Sequence, residues 1–193
     1  YKNYISSQKL YSDEKAIRFL KTHSCFVSRK DFQFTDKHNT LGVIYIVRDP
    51  KSILSSLSND FNQTAKQSSE IILSHQYLGK DTPEHCLTYL GSWKYHYNSW
   101  KTFNKFNRYC LIKYEDLIND TEKVFLEILK FISRMAKVNF TVEKEKLKNT
   151  LKTCDLNKIK EFEIKENSTL NKEILGSIEK ELQNEMKELN YLK

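Results

Sequence analysis

The chain has 193 residues and a formal net charge of +7, with 39% hydrophobic, 12% aromatic and 30% charged residues but only 4 Gly and 2 Pro. That balance predicts a single globular domain over residues 1–193 and excludes a disordered tail, a collagen-like repeat and an all-β fold full of tight turns. The lysines are interleaved with Glu along the whole chain, as on a solvated surface or in a protein that meets an anionic ligand. RNA-binding aromatic signatures and helix-turn-helix spacing are absent, so no nucleic-acid partner is expected.

Cys25, Cys86, Cys110 and Cys154 are widely spaced, with no CxxC pair and no nearby histidine pair. They predict no metal site and a reduced, cytoplasmic compartment. Nothing approaches 18 consecutive apolar residues, and the opening YKNYISSQKL has no signal-peptide pattern. Asn62, Asn119, Asn139 and Asn167 stand in Asn-x-Ser/Thr triplets, which chance supplies in a chain so rich in those residues.

In chain order, Ala16 to Lys21 (AIRFLK) reads as a buried strand ending at Thr22-His23. Ser24 to Thr40 is polar and irregular, with Phe26, Phe32 and Phe34 as packing anchors. Val43 to Val47 (VIYIV) is an apolar, β-branched run, the pattern of a parallel strand buried on both faces. Asp49 is a good N-cap and Pro50 suits the first helical position, so Lys51 to Leu57 continues as helix. A strand running straight into a helix N-terminus leaves free N–H groups and a positive dipole at the sheet edge, where anions bind. Arg48 adds a charged fork there, and Ser56 lies two turns down the helix. A local alternative pairs Arg48 with Asp49 or Glu115.

Asp60 to Ser68 predicts a mobile loop. Thr82-Pro83-Glu84 predicts a helix start, followed by an apolar stripe of Leu87, Leu90, Trp93, Tyr97 and Trp100. His96 lies beside that stripe, either facing a site or buried and hydrogen-bonded. Tyr109 to Lys113 (YCLIK) is a third strand, Tyr114 to Leu117 its C-terminal turn, and Asp120 caps an amphipathic helix with Val124, Phe125, Ile128, Leu129, Ile132 and Met135. Helices are expected over Thr141–Leu151, Leu156–Lys165 and Lys172–Leu189. Strands separated by helices predict an α/β fold, a parallel sheet covered by helices on both faces. Three strands are few for such a sheet, and at least one more is expected ahead of Tyr1.

Taken together, Lys21-Thr22-His23, Ile46 to Lys51 with Ser56, Gly91-Ser92-Trp93 with His96 and Trp100, and Tyr114-Glu115-Asp116-Leu117 with Asp120 resemble the cytosolic-type sulfotransferases in order and spacing. The resemblance runs from about Lys21 to about Glu163. It implies a P-loop-NTPase-like sulfotransferase fold and transfer of a sulfuryl group from 3′-phosphoadenosine 5′-phosphosulfate (PAPS) to a hydroxyl or amine, leaving adenosine 3′,5′-bisphosphate (PAP), without a metal. By the resemblance, Arg48 and Ser56 match the grip on the donor's 3′-phosphate and Tyr114 and Thr153 its nucleotide contacts. His23 matches the general base, Lys21 stands close to the transferring sulfate, and His96 lines the acceptor pocket. The acceptor is expected to be a small molecule, a glycan or a lipid.

The departures from the family pattern are specific. The family's first strand and its Lys-Ser/Thr phosphosulfate loop are missing: either they precede Tyr1, or the chain is a degenerate, non-catalytic scaffold on the same fold. The C-terminal Arg-Lys-Gly segment is missing too, and Cys154, Asp155 and Leu156 follow Thr153 where the family has an aromatic residue. Thr141-Val142-Glu143 is similar to a dimerisation motif but lies far upstream of its usual place, leaving a homodimer open. A nucleotide kinase is the weaker alternative, since no GxxxxGK[ST] is present.

Overall fold

The computed structural model describes residues 4–11, 17–29, 32–78, 88–153 and 172–193. Its centre is a parallel pair, β3 (Val43–Val47) and β6 (Tyr109–Lys113), in register from Val43 opposite Tyr109 to Val47 opposite Lys113. Side chains alternate between the two faces. On one face Val43 packs with Trp100 and Phe103, and Val47 with Tyr97 and Leu189. Trp100 and Tyr97 belong to α4 (Trp93–Lys101), and Phe103 to the 3-10 turn that follows it. On the other face Cys110 lies beside Glu127 and Arg134 of α6 (Thr121–Ala136). Helices thus lie on both sides of the sheet. Coverage is incomplete where the sheet is only two strands wide among the described residues: Ile46 is 54% and Leu111 38% exposed.

Local chemistry sets the helix starts. The Asp49 carboxylate accepts the Lys51 N–H at 2.9 Å, and Pro50 opens α2 (Pro50–Asp60). Ser92 Oγ accepts the Tyr95 N–H at 3.2 Å at the head of α4. Gly91, at φ +69°, turns the chain into that cap; a Cβ there would stand 2.9 Å from Tyr95 Cδ1. Asp120 caps α6 by accepting the Lys123 N–H at 3.2 Å. The short α5 (Tyr114–Asn119) joins β6 to α6.

A helical layer packs beside the sheet. Leu54 of α2 and Ile72 of α3 (Ala65–Leu73) bury against Ile178, Leu182 and Met186. Ile178 lies on α8 (Lys172–Glu181), Met186 on α9 (Gln183–Glu188), and Leu182 between them. The remaining described elements are α1 (Tyr4–Tyr11), α7 (Lys144–Thr153) and two antiparallel ribbons, β1 (Ser28–Arg29) with β2 (Phe32–Gln33) and β4 (Tyr77–Leu78) with β5 (Thr88–Tyr89).

Several expectations are corrected. Residues 17–21 form no strand: Ile17, Phe19 and Leu20 are 46%, 69% and 75% exposed, and a strand without a hydrogen-bonded neighbour has nothing to hold it extended. The supposed loop over Asp60–Ser68 contains the start of α3, because Thr64 and Gln67 form a reciprocal capping box. The long helix begins at Trp93, since Thr88–Tyr89 pairs as a strand instead. Thr82-Pro83-Glu84 lies outside the described residues, as does the helix expected over Leu156–Lys165. The last helix is broken at Leu182 (φ −110°, ψ 13°).

Candidate functional site

The parallel register that sets Val47 beside Lys113 also sets the next residues of both strands side by side. Arg48 therefore emerges next to Tyr114, with its guanidinium carbon 4.6 Å from the centre of the phenol ring. The peptide between Arg48 and Asp49 is held at both ends. Trp93 Nε1 donates to the Arg48 carbonyl at 3.3 Å, and the Asp49 N–H donates to Glu115 Oε1 at 2.9 Å. Glu115 Oε2 accepts in turn from the Tyr191 hydroxyl at 2.8 Å. Burial pushes the Asp49 carboxyl above its ordinary value, partly offset by the Lys51 N–H it caps. Arg48 thus stands beside the N-terminus of α2, where helix dipole and guanidinium favour an anion together.

His96 lies one turn along α4 from Trp93. Its Nδ1 is 2.8 Å from the Tyr45 hydroxyl and its Nε2 3.3 Å from the His23 carbonyl oxygen. Burial pushes the His96 imidazole down to about 4, against the opposing effect of the bond to His23. His23 is brought to α4 although no strand delivers it. Trp100 Nε1 donates to Ser24 O at 3.0 Å, Cys25 N to Tyr89 O at 3.0 Å and Phe26 N to Ser99 Oγ at 3.0 Å. The His23 side chain is exposed, as is that of Lys21.

The other expected residues are less closely gathered. Ser56 is half-buried on α2, about 9 Å along the axis from Pro50 at 1.5 Å per residue. Thr153 is exposed at the end of α7, with its hydroxyl donating to Thr150 O at 2.6 Å. Arg48, Tyr114, His23 and His96 are joined through β3, β6 and α4; Lys21 and Thr153 have no hydrogen bond to them among the described residues. Sequence reasoning missed Tyr45, Glu115 as a brace, and Tyr191. Tyr45 was detectable in principle as an inward polar tip on an apolar strand, whereas nothing in the sequence marks Tyr191. Among the described residues no group of three or more His, Cys, Asp or Glu is placed to hold a metal ion, and no helix is long and apolar enough to cross a membrane.

The carboxyl ends of parallel strands, beside a capped helix N-terminus and an Arg, are where α/β proteins take phosphorylated ligands. The chain belongs to the sulfotransferase domain family, whose sequence profile matches residues 1–189. Among solved structures it is similar to mouse sulfotransferase SULT7A1, crystallised with PAP, at 24% identity and a TM-score of 0.39. That match covers 59% of this chain and 39% of the mouse chain, so it spans well under half of the mouse protein. Comparison with curated proteins gave no match.

Proposed function

We propose that the chain is a PAPS-dependent sulfotransferase acting in the cytoplasm on the hydroxyl or amine of a small-molecule acceptor. The observation that supports this reading best is the Arg48–Tyr114 pair beside the N-terminus of α2, in a chain of the sulfotransferase domain family. The pair fits one end of the donor: a planar guanidinium suits the 3′-phosphate, Ser56 offers a hydroxyl to the same anion, and Tyr114 and Thr153 serve the nucleotide.

In the transfer, a bond forms between the acceptor oxygen or nitrogen and sulfur while the bond from sulfur to the donor's bridging oxygen breaks, so PAP leaves with that electron pair. The acceptor's proton goes to a ring nitrogen of the His23 imidazole, which acts as the general base. Lys21 supplies positive charge to the oxygen on which negative charge grows. Positioning and charge carry most of such a loose, in-line displacement.

The test is sulfuryl transfer from labelled PAPS by the full chain, with phenols, sugars and lipids as acceptors. Turnover that falls about 10²-fold or more in His23→Ala supports the reading. A wild-type chain that binds PAP but transfers to no acceptor supports the non-catalytic scaffold instead.

A further inference from the structure

His96 was expected among the residues that meet the acceptor, yet both of its ring nitrogens are taken up inside the protein. Nε2 faces the His23 carbonyl oxygen, which accepts and never donates, so Nε2 carries the hydrogen. With the hydrogen on Nε2, the half-buried ring presents Nδ1 as a lone pair, and the Tyr45 hydroxyl at 2.8 Å donates to it. Burial raises the Tyr45 phenol well above its ordinary range, which keeps it a donor. The direction of the chain is fixed from Tyr45 O–H to His96 Nδ1, and from His96 Nε2–H to His23 O. Because it ends on an amide carbonyl, it is an anchor and not a route for protons.

An anchor at this point has something to hold. The segment before His23 is exposed and irregular, with no strand to set the height of the histidine above the sheet. The neighbouring ties land on Ser24, Cys25 and Phe26; the bond from His96 lands on His23 itself. Three residues earlier on the same helix, Trp93 Nε1 bonds the carbonyl of Arg48. One turn of α4 therefore bonds the backbone of both Arg48 and His23.

We infer that His96, oriented by Tyr45, is a positioning residue that fixes the His23 backbone relative to the Arg48 end of the site, so that α4 sets the distance between base and anion grip. The inference rests on the sulfuryl-transfer reading for the role of His23. A misplacement of about 1 Å suffices to cost on the order of 10²-fold in rate.

Two readouts on the full chain test it. In NMR, the His23 carbonyl carbon and the Ser24 amide of the same peptide should shift in His96→Ala and return in His96→Gln, whose side-chain N–H reaches the same carbonyl. In kinetics, kcat should fall roughly 10- to 100-fold in His96→Ala with PAP affinity within about twofold of wild type, recover largely in His96→Gln, and fall less in Tyr45→Phe. Melting temperatures of all three variants separate loss of fold from loss of position. An unmoved His23 carbonyl, or wild-type kcat in His96→Ala with active enzyme, overturns the inference alone. A wild-type chain without turnover overturns the sulfuryl-transfer reading, and the positioning role with it.

Discussion

Removing the Glu115 carboxylate should loosen the site and the fold together. Glu115 accepts from the Asp49 N–H at 2.9 Å and from the Tyr191 hydroxyl at 2.8 Å, bonds that join the head of α2 to the last residues of the chain. Hydrogen bonds to charged groups contribute about 1.5 to 3 kcal/mol each, and both of these are part-buried, so water replaces some of the loss. Glu115→Ala should then cost about 2 to 4 kcal/mol. In urea unfolding, a slope of about 2 to 3 kcal/mol per M turns that into a midpoint lowered by roughly 0.7 to 2 M. Glu115→Gln keeps an oxygen for the Asp49 N–H and should cost about 1 kcal/mol; Tyr191→Phe removes a single donor and should cost about as much. The Asp49 N–H belongs to the same peptide as the Arg48 carbonyl, so Glu115→Ala should also weaken PAP binding in calorimetry. Glu115→Ala within about 0.5 kcal/mol of wild type, or Tyr191→Phe more damaging than Glu115→Ala, would refute the brace.

Leu54 is fully buried against Ile72, Ile178 and Met186, so Leu54→Ala should cost about 2 to 5 kcal/mol in the same assay. Thr64→Ala removes half of the capping box of α3 and should cost about 1 kcal/mol. His96 gives a pH dependence. Its folded value of about 4 lies below the unfolded 6.5, so above pH 6.5 both states are neutral and the fold is fully supported. As pH falls from 6.5 toward 4 the unfolded chain takes up the proton first, and stability drops by about 2 kcal/mol between pH 7.5 and 5. The groups facing the ring are the Tyr45 hydroxyl and His23, so comparison with His96→Gln isolates this part. An equal pH slope in that variant would contradict it.

The elements legible in the sequence are those whose signals are local. Val43 to Val47 and Tyr109 to Lys113 are strands as read, although Ile46 is exposed where burial on both faces was expected, and Asp49 and Asp120 cap the helices read from them. Arg48 and Tyr114 were findable because each ends a strand, and parallel pairing then sets them side by side. AIRFLK misled because its composition suits a strand, but whether a strand forms depends on a partner that composition does not supply. Asp60 to Ser68 misled because its Asn and Gln residues hid a Thr64/Gln67 box inside an apparent loop. The roles of Tyr45, Trp93 and Tyr191 rest on partners 51, 45 and 76 residues away, and no local pattern encodes such distances.

In the proposed site, Arg48 grips the 3′-phosphate of a nucleotide at the carboxyl ends of β3 and β6. Isothermal calorimetry of PAP against the wild-type chain and Arg48→Ala tests it most directly. Wild type should bind, and Arg48→Ala should lose about 1.5 to 3 kcal/mol, a charge-assisted bond to the phosphate, while adenosine 5′-monophosphate, which lacks that phosphate, should bind both proteins alike. Equal PAP affinity in the two proteins, or no PAP binding by a folded wild-type chain, would contradict the claim.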